Sequence, residues 1–151
     1  MFDVRVVTPV VTNEEGWRHA AAKLQLGDVR LCFLIDLTYW GVQDYERQWR
    51  DGCARLVGGA PSSALMTAYR GPGDEPHTMW ALWREDEYVY IQEQTVLSGE
   101  LDAPWDPAEP YIHVGQRVPA SEHALPMSEW RAEILHLYAA ALGIRWPFFP
   151  L

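Results

Sequence analysis

Few residues in this sequence have a type and spacing that could support catalysis. The five histidines are isolated from one another along the chain, at His19, His77, His113, His123 and His136. The sequence contains neither the HExxH pattern of zinc hydrolases nor the GxSxG pattern of serine hydrolases. Segment 71–73, Gly-Pro-Gly, lacks the Lys-Ser/Thr ending of a phosphate-binding loop. We therefore predict no catalytic residue and no cofactor.

Cysteines and loop carboxylates are the other possible metal ligands. Cys32 and Cys53 have no CxxC spacing, so we interpret them as two small, buried apolar residues of a protein in a reducing compartment. Asp102, Asp106 and Glu109 could attract a hard cation, but their loop lacks the alternating acids and central glycine of a calcium loop. The sequence therefore predicts no metal site.

A run of acidic residues is the clearest signal for binding. The interval 85–109 contains eight acids and no Lys or Arg, in a chain whose net charge is -9. These acids are Glu85, Asp86, Glu87, Glu93, Glu100, Asp102, Asp106 and Glu109. Trp105 lies among them, and a large aromatic ring inside a charged rim is typical of a binding hot spot. The stretch is either a docking face for a basic partner or a solvated surface, and Trp105 is either a contact residue or a lid residue folded back onto the core.

The elements that must position these residues follow from hydrophobic periodicity. Alternating apolar residues predict strands at 2–6 and 29–37, and a hairpin turn at Gly27-Asp28 joins the second of these to 24–26. Further strands are predicted at 63–69, 78–84, 88–97 and 111–118. The loops between consecutive strands are too short for parallel crossovers, which favours an antiparallel β-meander sheet.

Two segments have helical spacing instead. Tyr45, Trp49, Cys53 and Leu56 form one stripe of an early helix at about 42–57, in which Gly52 indicates a close packing contact. Ser128 is a good N-cap for a late helix at about 129–142, followed by Gly143 as its stop. The buried stripe of this late helix would consist of Trp130, Ile134, Leu137, Tyr138 and Leu142. The predicted fold class is α+β.

Length and composition limit the class of protein. The 151 residues suit one domain, 1–151, and the apolar content of 48% is that of a folded chain. We see no apolar run of membrane-spanning length and no signal peptide, so we expect a cytoplasmic protein. An acidic chain is a poor ligand for nucleic acid, and we expect no direct binding to it.

Three stretches carry a combined pattern of aromatic, acidic and amide residues. The first is Trp-Gly-Val-Gln-Asp-Tyr-Glu-Arg-Gln-Trp at 40–49, with Arg-Leu-Val-Gly-Gly at 55–59. The second is the hairpin 80–93, which ends in Tyr-Val-Tyr-Ile-Gln-Glu. The third is Tyr-Ile-His-Val-Gly-Gln-Arg at 111–117, with Ser-Glu-Trp at 128–130. Together they resemble the CdiI family, the immunity proteins of bacterial contact-dependent growth inhibition, over about residues 22 to 138.

The resemblance implies an α+β fold and a non-catalytic function, namely binding and neutralising the C-terminal toxin domain of a cognate CdiA exoprotein. It also implies that the toxin is often a nuclease. Tyr45, Trp49 and Trp130 fall on the predicted buried stripes, so we expect structural roles for them. We expect the toxin contacts at the eight acids and Trp105, from charge alone, since a nuclease must be basic where it grips phosphates.

Other functions remain open at this point. A small cytoplasmic enzyme or ligand-binding domain could use the loop carboxylates with His77 or His113, and it would show a concave pocket with converging polar groups. A structural or regulatory subunit would show a large exposed apolar patch. The toxin's activity, the part of the toxin that is covered and the oligomeric state are not determined by the sequence.

Overall fold

The strands form two four-stranded antiparallel sheets in the computed structural model, which describes residues 2–26, 29–124 and 127–141. The first sheet contains β1 (Phe2–Val6), β2 (Val11–Thr12), β3 (Arg18–Leu26) and β4 (Val29–Asp36). In it, β3 pairs with β1 and β2 along one edge and with β4 along the other. The predicted pairing of the segments on either side of Gly27-Asp28 is confirmed, while the turn itself lies outside the described residues.

The second sheet follows a long helix and has its strands in chain order. Helix α1 (Val42–Val57) leads into β5 (Ser62–Ala68), β6 (His77–Glu85), β7 (Tyr88–Val96) and finally β8 (Glu129–Glu133). A short helix, α2 (Leu137–Ala141), comes last among the described elements. The α+β class, the antiparallel meander and the early helix at 42–57 are confirmed.

Helix α1 is amphipathic, and its apolar stripe packs against the second sheet. Tyr45, Trp49, Cys53 and Leu56 are all buried. The predicted burial of Cys32 on β4 is wrong, because this residue is exposed. A Cβ atom at Gly52 would lie 2.6 Å from the Ala64 carbonyl oxygen, so the helix can approach β5 this closely only with glycine there. The predicted close contact at Gly52 is confirmed.

A long loop covers the outer face of the second sheet. Residues 97–124 run across β6 and β7 with three short 3-10 turns, at 98–100, 110–113 and 120–122. The indole of Trp83 donates a hydrogen bond to the Gly115 carbonyl oxygen (2.8 Å), and the Gln92 amide donates to that of Val118 (2.8 Å). The predicted strand at 111–118 is therefore wrong: this segment begins in a 3-10 turn at Pro110–His113 and is held to the sheet by side chains of the strands beneath it.

The late helix is shorter than predicted. Residues Glu129–Glu133 form β8, which pairs antiparallel with β7, and the α-helix begins only at Leu137 after a 3-10 turn. The helical stripe was misleading because Ala132 and Ile134 are also buried, so the segment equally fits the two-residue period of a strand. The segment forms a strand rather than a helix because the backbone groups along the free edge of β7 need hydrogen-bond partners. The predicted helix end at Leu142 and Gly143 lies outside the described residues.

The helices are short. The longest in the described ranges, α1, has 16 residues, and no helix there is long and apolar enough to cross a lipid bilayer.

Candidate protein-binding surface

Seven of the eight predicted acids lie at the β6–β7 turn or in the loop that covers the outer face of the second sheet. Glu85, Asp86 and Glu87 are exposed at the β6–β7 turn, where Asp86 has a positive φ of 56°. Trp105 and Asp106 lie in the loop after β7, and Trp105 stacks on His77 at the opposite end of the hairpin. At about 3.3 Å per residue, the length of β6 places the two ends of the hairpin roughly 26 Å apart. We call this surface the acidic side; its members are Glu85, Asp86, Glu87, Glu100, Asp102, Asp106 and Glu109, all exposed.

Glu93 lies apart from the acidic side. It pairs with Trp80, and alternation along the strands places both residues on the inner face of the second sheet. Trp80 packs against Phe33 and Trp130 there, whereas Glu93 is exposed. Seven of the eight predicted acids are therefore exposed at the β6–β7 turn or in the loop after β7, and Glu93 is exposed on the inner face instead.

Trp105 is folded back rather than projecting from the loop. Its ring stacks on His77 with centroids 5.0 Å apart and contacts His113 at 5.5 Å. The ring is half-buried, and its indole nitrogen makes no hydrogen bond to the described protein atoms. This geometry is that of the lid residue, so only part of the Trp105 ring is available to a partner.

His77 forms the floor of this aromatic stack. It is fully buried between the rings of Tyr69 and Trp105. Its Nδ1 accepts a hydrogen bond from the Arg70 backbone N–H (3.0 Å), which places the proton of the neutral ring on Nε2. Burial lowers the pKa of His77, and the nearby charge of Arg70 lowers it further. At pH 7 this histidine is neutral and acts as a packing residue.

An arginine holds the loop that carries the acidic side against the sheet. Arg117 donates two hydrogen bonds to the Glu129 carboxylate (2.8 and 2.6 Å) and contacts Glu85 at 3.3 Å. Its guanidinium also lies 3.7 Å from the centroid of the Tyr90 ring. The Arg117 hydrogen bonds lower the pKa of Glu129 against the opposing effect of burial. The position of the loop is thus fixed by a bidentate ion pair and a stacked cation.

The three predicted structural residues occupy different environments. Tyr45 is fully buried, and Trp49 is buried with its indole donating to the Met66 carbonyl oxygen (2.6 Å). Trp130 is half-buried on β8, with its ring 4.9 Å from that of Trp80. The prediction that Trp130 lies on a helix is wrong, because its segment pairs with β7.

A cleft of about 400 Å³ opens where the two sheets meet, and sequence reasoning did not find it. We call it the inter-sheet cleft. It lies between the end of β4 and the end of β5, and the residues that line it include Trp17, Arg18, Leu34, Asp36, Arg70 and Glu75. The one signal in the sequence was Leu34, an apolar residue on the polar face of β4. Its side chain is 65% exposed at the cleft.

Residues 35–139 match the family model of the CdiI N-terminal domain. The chain belongs to this CdiI family. The CdiI immunity protein of Enterobacter cloacae is 24% identical over 101 residues, which cover 66% of this chain and 69% of that protein.

The CdiI fold is also shared. A chain of the CdiA-CT/CdiI toxin and immunity complex from Enterobacter cloacae superposes with a TM-score of 0.82 at 21% sequence identity. The superposition covers 95% of this chain and 97% of that chain. At this identity the likeness shows a common fold.

The CdiI family match does not extend over the whole structure. It contains α1 and all four strands of the second sheet, and it begins at Ile35, near the end of β4. The acidic side therefore lies inside the matched range. Trp17, Arg18 and Leu34 of the inter-sheet cleft lie before it.

Proposed function

We propose that this chain is an immunity protein that binds and neutralises the C-terminal toxin domain of a cognate CdiA exoprotein, in the cytoplasm of the cell that makes it. The observation that carries the proposal is membership of the CdiI family over 35–139. The fold shared with a chain of a toxin and immunity complex supports it over nearly the full length.

The nature of the toxin is part of the same proposal. A nuclease must be basic where it grips phosphates. An inhibitor with a net charge of -9 and an acidic side about 26 Å long suits such a face. Complementary charge raises association rates toward roughly 10⁸–10⁹ M⁻¹s⁻¹ at low salt. We therefore propose a basic nuclease domain as the partner and the acidic side as the surface that attracts it.

The structure does not support the alternative of a small enzyme that uses the loop carboxylates with His77 or His113. His77 has no exposed surface, and its Nδ1 is occupied by a backbone N–H. His113 is half-buried against Trp105. Neither His77 nor His113 lines the inter-sheet cleft, and none of the loop carboxylates does. We accordingly propose a binding function without catalysis.

Co-expression with the toxin tests the proposed function. The C-terminal domain of the CdiA protein encoded beside this chain is induced in a laboratory bacterium with and without the chain, and survival is counted. We expect growth to be restored only by the cognate chain, with an unrelated CdiI protein as control. Survival no better than with that control would contradict the proposal.

Binding and turnover are measured on the purified proteins. Calorimetry should give a one-to-one complex of nanomolar affinity, and nuclease assays should show the toxin's activity titrated away by the chain. Hydrolase and nuclease screens of the chain alone test the absence of catalysis. A turnover that a single substitution at His113 or a loop carboxylate abolishes would favour the enzyme alternative.

A further inference from the structure

We propose that the inter-sheet cleft is the short-range docking site for a carboxylate-bearing segment of the toxin domain. The inference rests on the proposed function and assigns it a contact site on the first sheet. The acidic side then attracts the toxin over distance, and the cleft holds one segment of it in register.

The cleft has the shape of a site for an inserted segment. Its walls come from β4, which pairs only with β3 among the described strands, and from the end of β5, which pairs only with β6. A volume of about 400 Å³ accommodates a few side chains of a partner. Leu34 at the rim and the half-buried Trp17 supply apolar contact area beside the charges. Such a combination of an apolar anchor and arginine is typical of hot spots.

The cleft contains two arginines and two acids, and the arginines offer unused hydrogen-bond donors to an acceptor. Arg18 and Arg70 line the cleft, and neither guanidinium makes a hydrogen bond or ion pair within the described part of the chain. The carboxylate of Asp36, by contrast, already accepts a hydrogen bond from the Thr38 N–H (2.9 Å). Glu75 is exposed and pairs with neither arginine. Each guanidinium has five donors in a planar fork, which matches a carboxylate bidentately.

Two further observations point to the toxin as the source of that carboxylate. The large aromatic residue of the acidic side, Trp105, is stacked on His77, so only part of its ring is left for a partner. In addition, Trp17, Arg18 and Leu34 precede the range that the family model matches. Proteins that share a fold but recognise different toxins must differ at the residues that discriminate between them. Residues that precede the range of the family model are therefore suited to that discrimination.

Kinetics with the cognate toxin domain test the proposal, with three variants and one matched control. Arg18→Ser and Arg70→Ser each remove one cation from the cleft, and Leu34→Asp places an acid at its rim. Arg131→Ser removes a cation from the exposed edge strand β8, away from the cleft. We expect each cleft variant to weaken the complex at least tenfold, mainly through faster dissociation, and the control to change the dissociation rate less than twofold.

The direction in which the cleft variants change the affinity distinguishes this docking site from simple attraction of a basic toxin. A gain of negative charge would strengthen a complex held only by the acidic side, whereas docking of a carboxylate in the cleft requires weakening. Parental or tighter binding by the cleft variants overturns the proposal while leaving the proposed function intact. A parent chain that does not bind the toxin at all overturns both. Should Arg70→Ser fail to fold, the exposed positions Arg18 and Leu34 decide.

Hydrogen exchange supplies an independent readout. In the complex we expect backbone amides at 13–19 and 34–36 to gain protection, because these segments form one wall of the cleft. Protection confined to 98–109, on the acidic side, would overturn the proposal. Inorganic phosphate and citrate, each at the concentration used for the toxin, test whether the cleft is only a site for free anions. Protection of segments 13–19 and 34–36 by either anion would also overturn the proposal.

Discussion

At the scale of single residues, the Tyr45 hydroxyl links three elements. It donates to the Asp36 carbonyl oxygen at the end of β4 (2.5 Å) and accepts from the Tyr69 N–H just after β5 (2.9 Å). Burial raises the pKa of the Tyr45 phenol, so the group stays protonated and can donate. One hydroxyl on α1 therefore holds both sheets, which gives the predicted structural role of Tyr45 a specific mechanism.

Tyr45→Phe should lower the free energy of unfolding by about 1–3 kcal/mol, because a part-buried carbonyl and a part-buried N–H lose their partner. Urea denaturation measures it. Tyr39→Phe is the control, since the Tyr39 ring is half-exposed and its hydroxyl makes no hydrogen bond among the described residues. Equal stability of the Tyr45 and Tyr39 variants would contradict the prediction.

His77 makes stability depend on pH. Its pKa is lowered in the folded state by burial and then by Arg70, so below the ordinary value of 6.5 the unfolded chain binds more protons than the folded one. Stability is then fully present above pH 6.5 and falls as the pH drops below it. His136, whose pKa burial also lowers, adds to the same trend.

His77→Asn should flatten this decline, because asparagine can accept from the Arg70 N–H and does not titrate. The measurement is the free energy of unfolding at several values between pH 8 and pH 5, for the parent and the variant. His123→Asn is the control, since His123 is not fully buried and bonds to the Val118 carbonyl oxygen at the surface. A variant with the parental slope would show that His77 is not the group responsible.

Trp105→Ala separates the two interpretations of that residue. Because the ring stacks on His77, we expect a loss of about 1–3 kcal/mol in the free energy of unfolding, below the roughly 3–5 kcal/mol of a fully buried tryptophan. A direct toxin contact would add faster dissociation from the toxin domain, measured at a temperature where the variant is fully folded. Unchanged stability with faster dissociation would contradict the lid geometry.

At the scale of elements, the contact between α1 and β5 determines how the helix sits on the second sheet. Gly52 faces the Ala64 carbonyl oxygen and Leu65, and the Ser63 hydroxyl donates to the Gly52 carbonyl oxygen (2.8 Å). The Gln48 amide on the same helix bonds both to Ala64 and to the Met66 N–H. Backbone atoms of helix and strand thus meet directly, with polar groups satisfied across the contact.

Gly52→Ala should destabilise the protein by about 1–3 kcal/mol, because the added methyl group must displace backbone, and this exceeds the gain of about 1 kcal/mol in helix propensity. Thermal and urea unfolding measure the net effect. Gly73→Ala is the matched control, since a Cβ atom there meets nothing within 4 Å. A Gly52 variant more stable than the parent would mean that α1 can shift freely over β5.

At the scale of the whole molecule, the charge is distributed unevenly over the two sheets. Seven acids lie on the acidic side of the second sheet, where Arg117 is the cation bound to Glu85. The inter-sheet cleft carries Arg18 and Arg70 together with Asp36 and Glu75. A chain with net charge -9 therefore presents two electrostatically different surfaces, and these are expected to affect association and dissociation differently.

Replacing Asp102, Asp106 and Glu109 by Lys should slow association with a basic toxin domain about tenfold or more at low salt and weaken its salt dependence. Stopped-flow kinetics at several salt concentrations measure this, with circular dichroism to confirm folding, because Asp106 caps the Ala108 N–H (2.9 Å). Parental association at low salt would mean that the acidic side only confers solubility. The toxin would then be sought at the cleft or at the exposed Arg47, Arg50 and Asp51 of α1.

The sequence by itself determined the elements whose hydrophobic periodicity fits only one type of secondary structure. The stripe of Tyr45, Trp49, Cys53 and Leu56 has no strand alternative, and α1 lies at 42–57 as predicted. The β6–β7 hairpin was predicted to within one residue at each end, because turn residues separate two β-prone runs. Net charge, family resemblance and the acidic run were also properties of the sequence.

Tertiary structure decided the segments whose residue pattern fits more than one type of secondary structure. It also decided every contact between residues that are distant in the sequence. Residues 129–133 became a strand because β7 had an unpaired edge, and 111–118 did not, because side chains of β6 and β7 hold that segment over the sheet face. Trp105 turned inward because His77 offers it a stacking surface. The inter-sheet cleft depends on β4 and β5 meeting, a contact between strands about 30 residues apart that local periodicity does not encode.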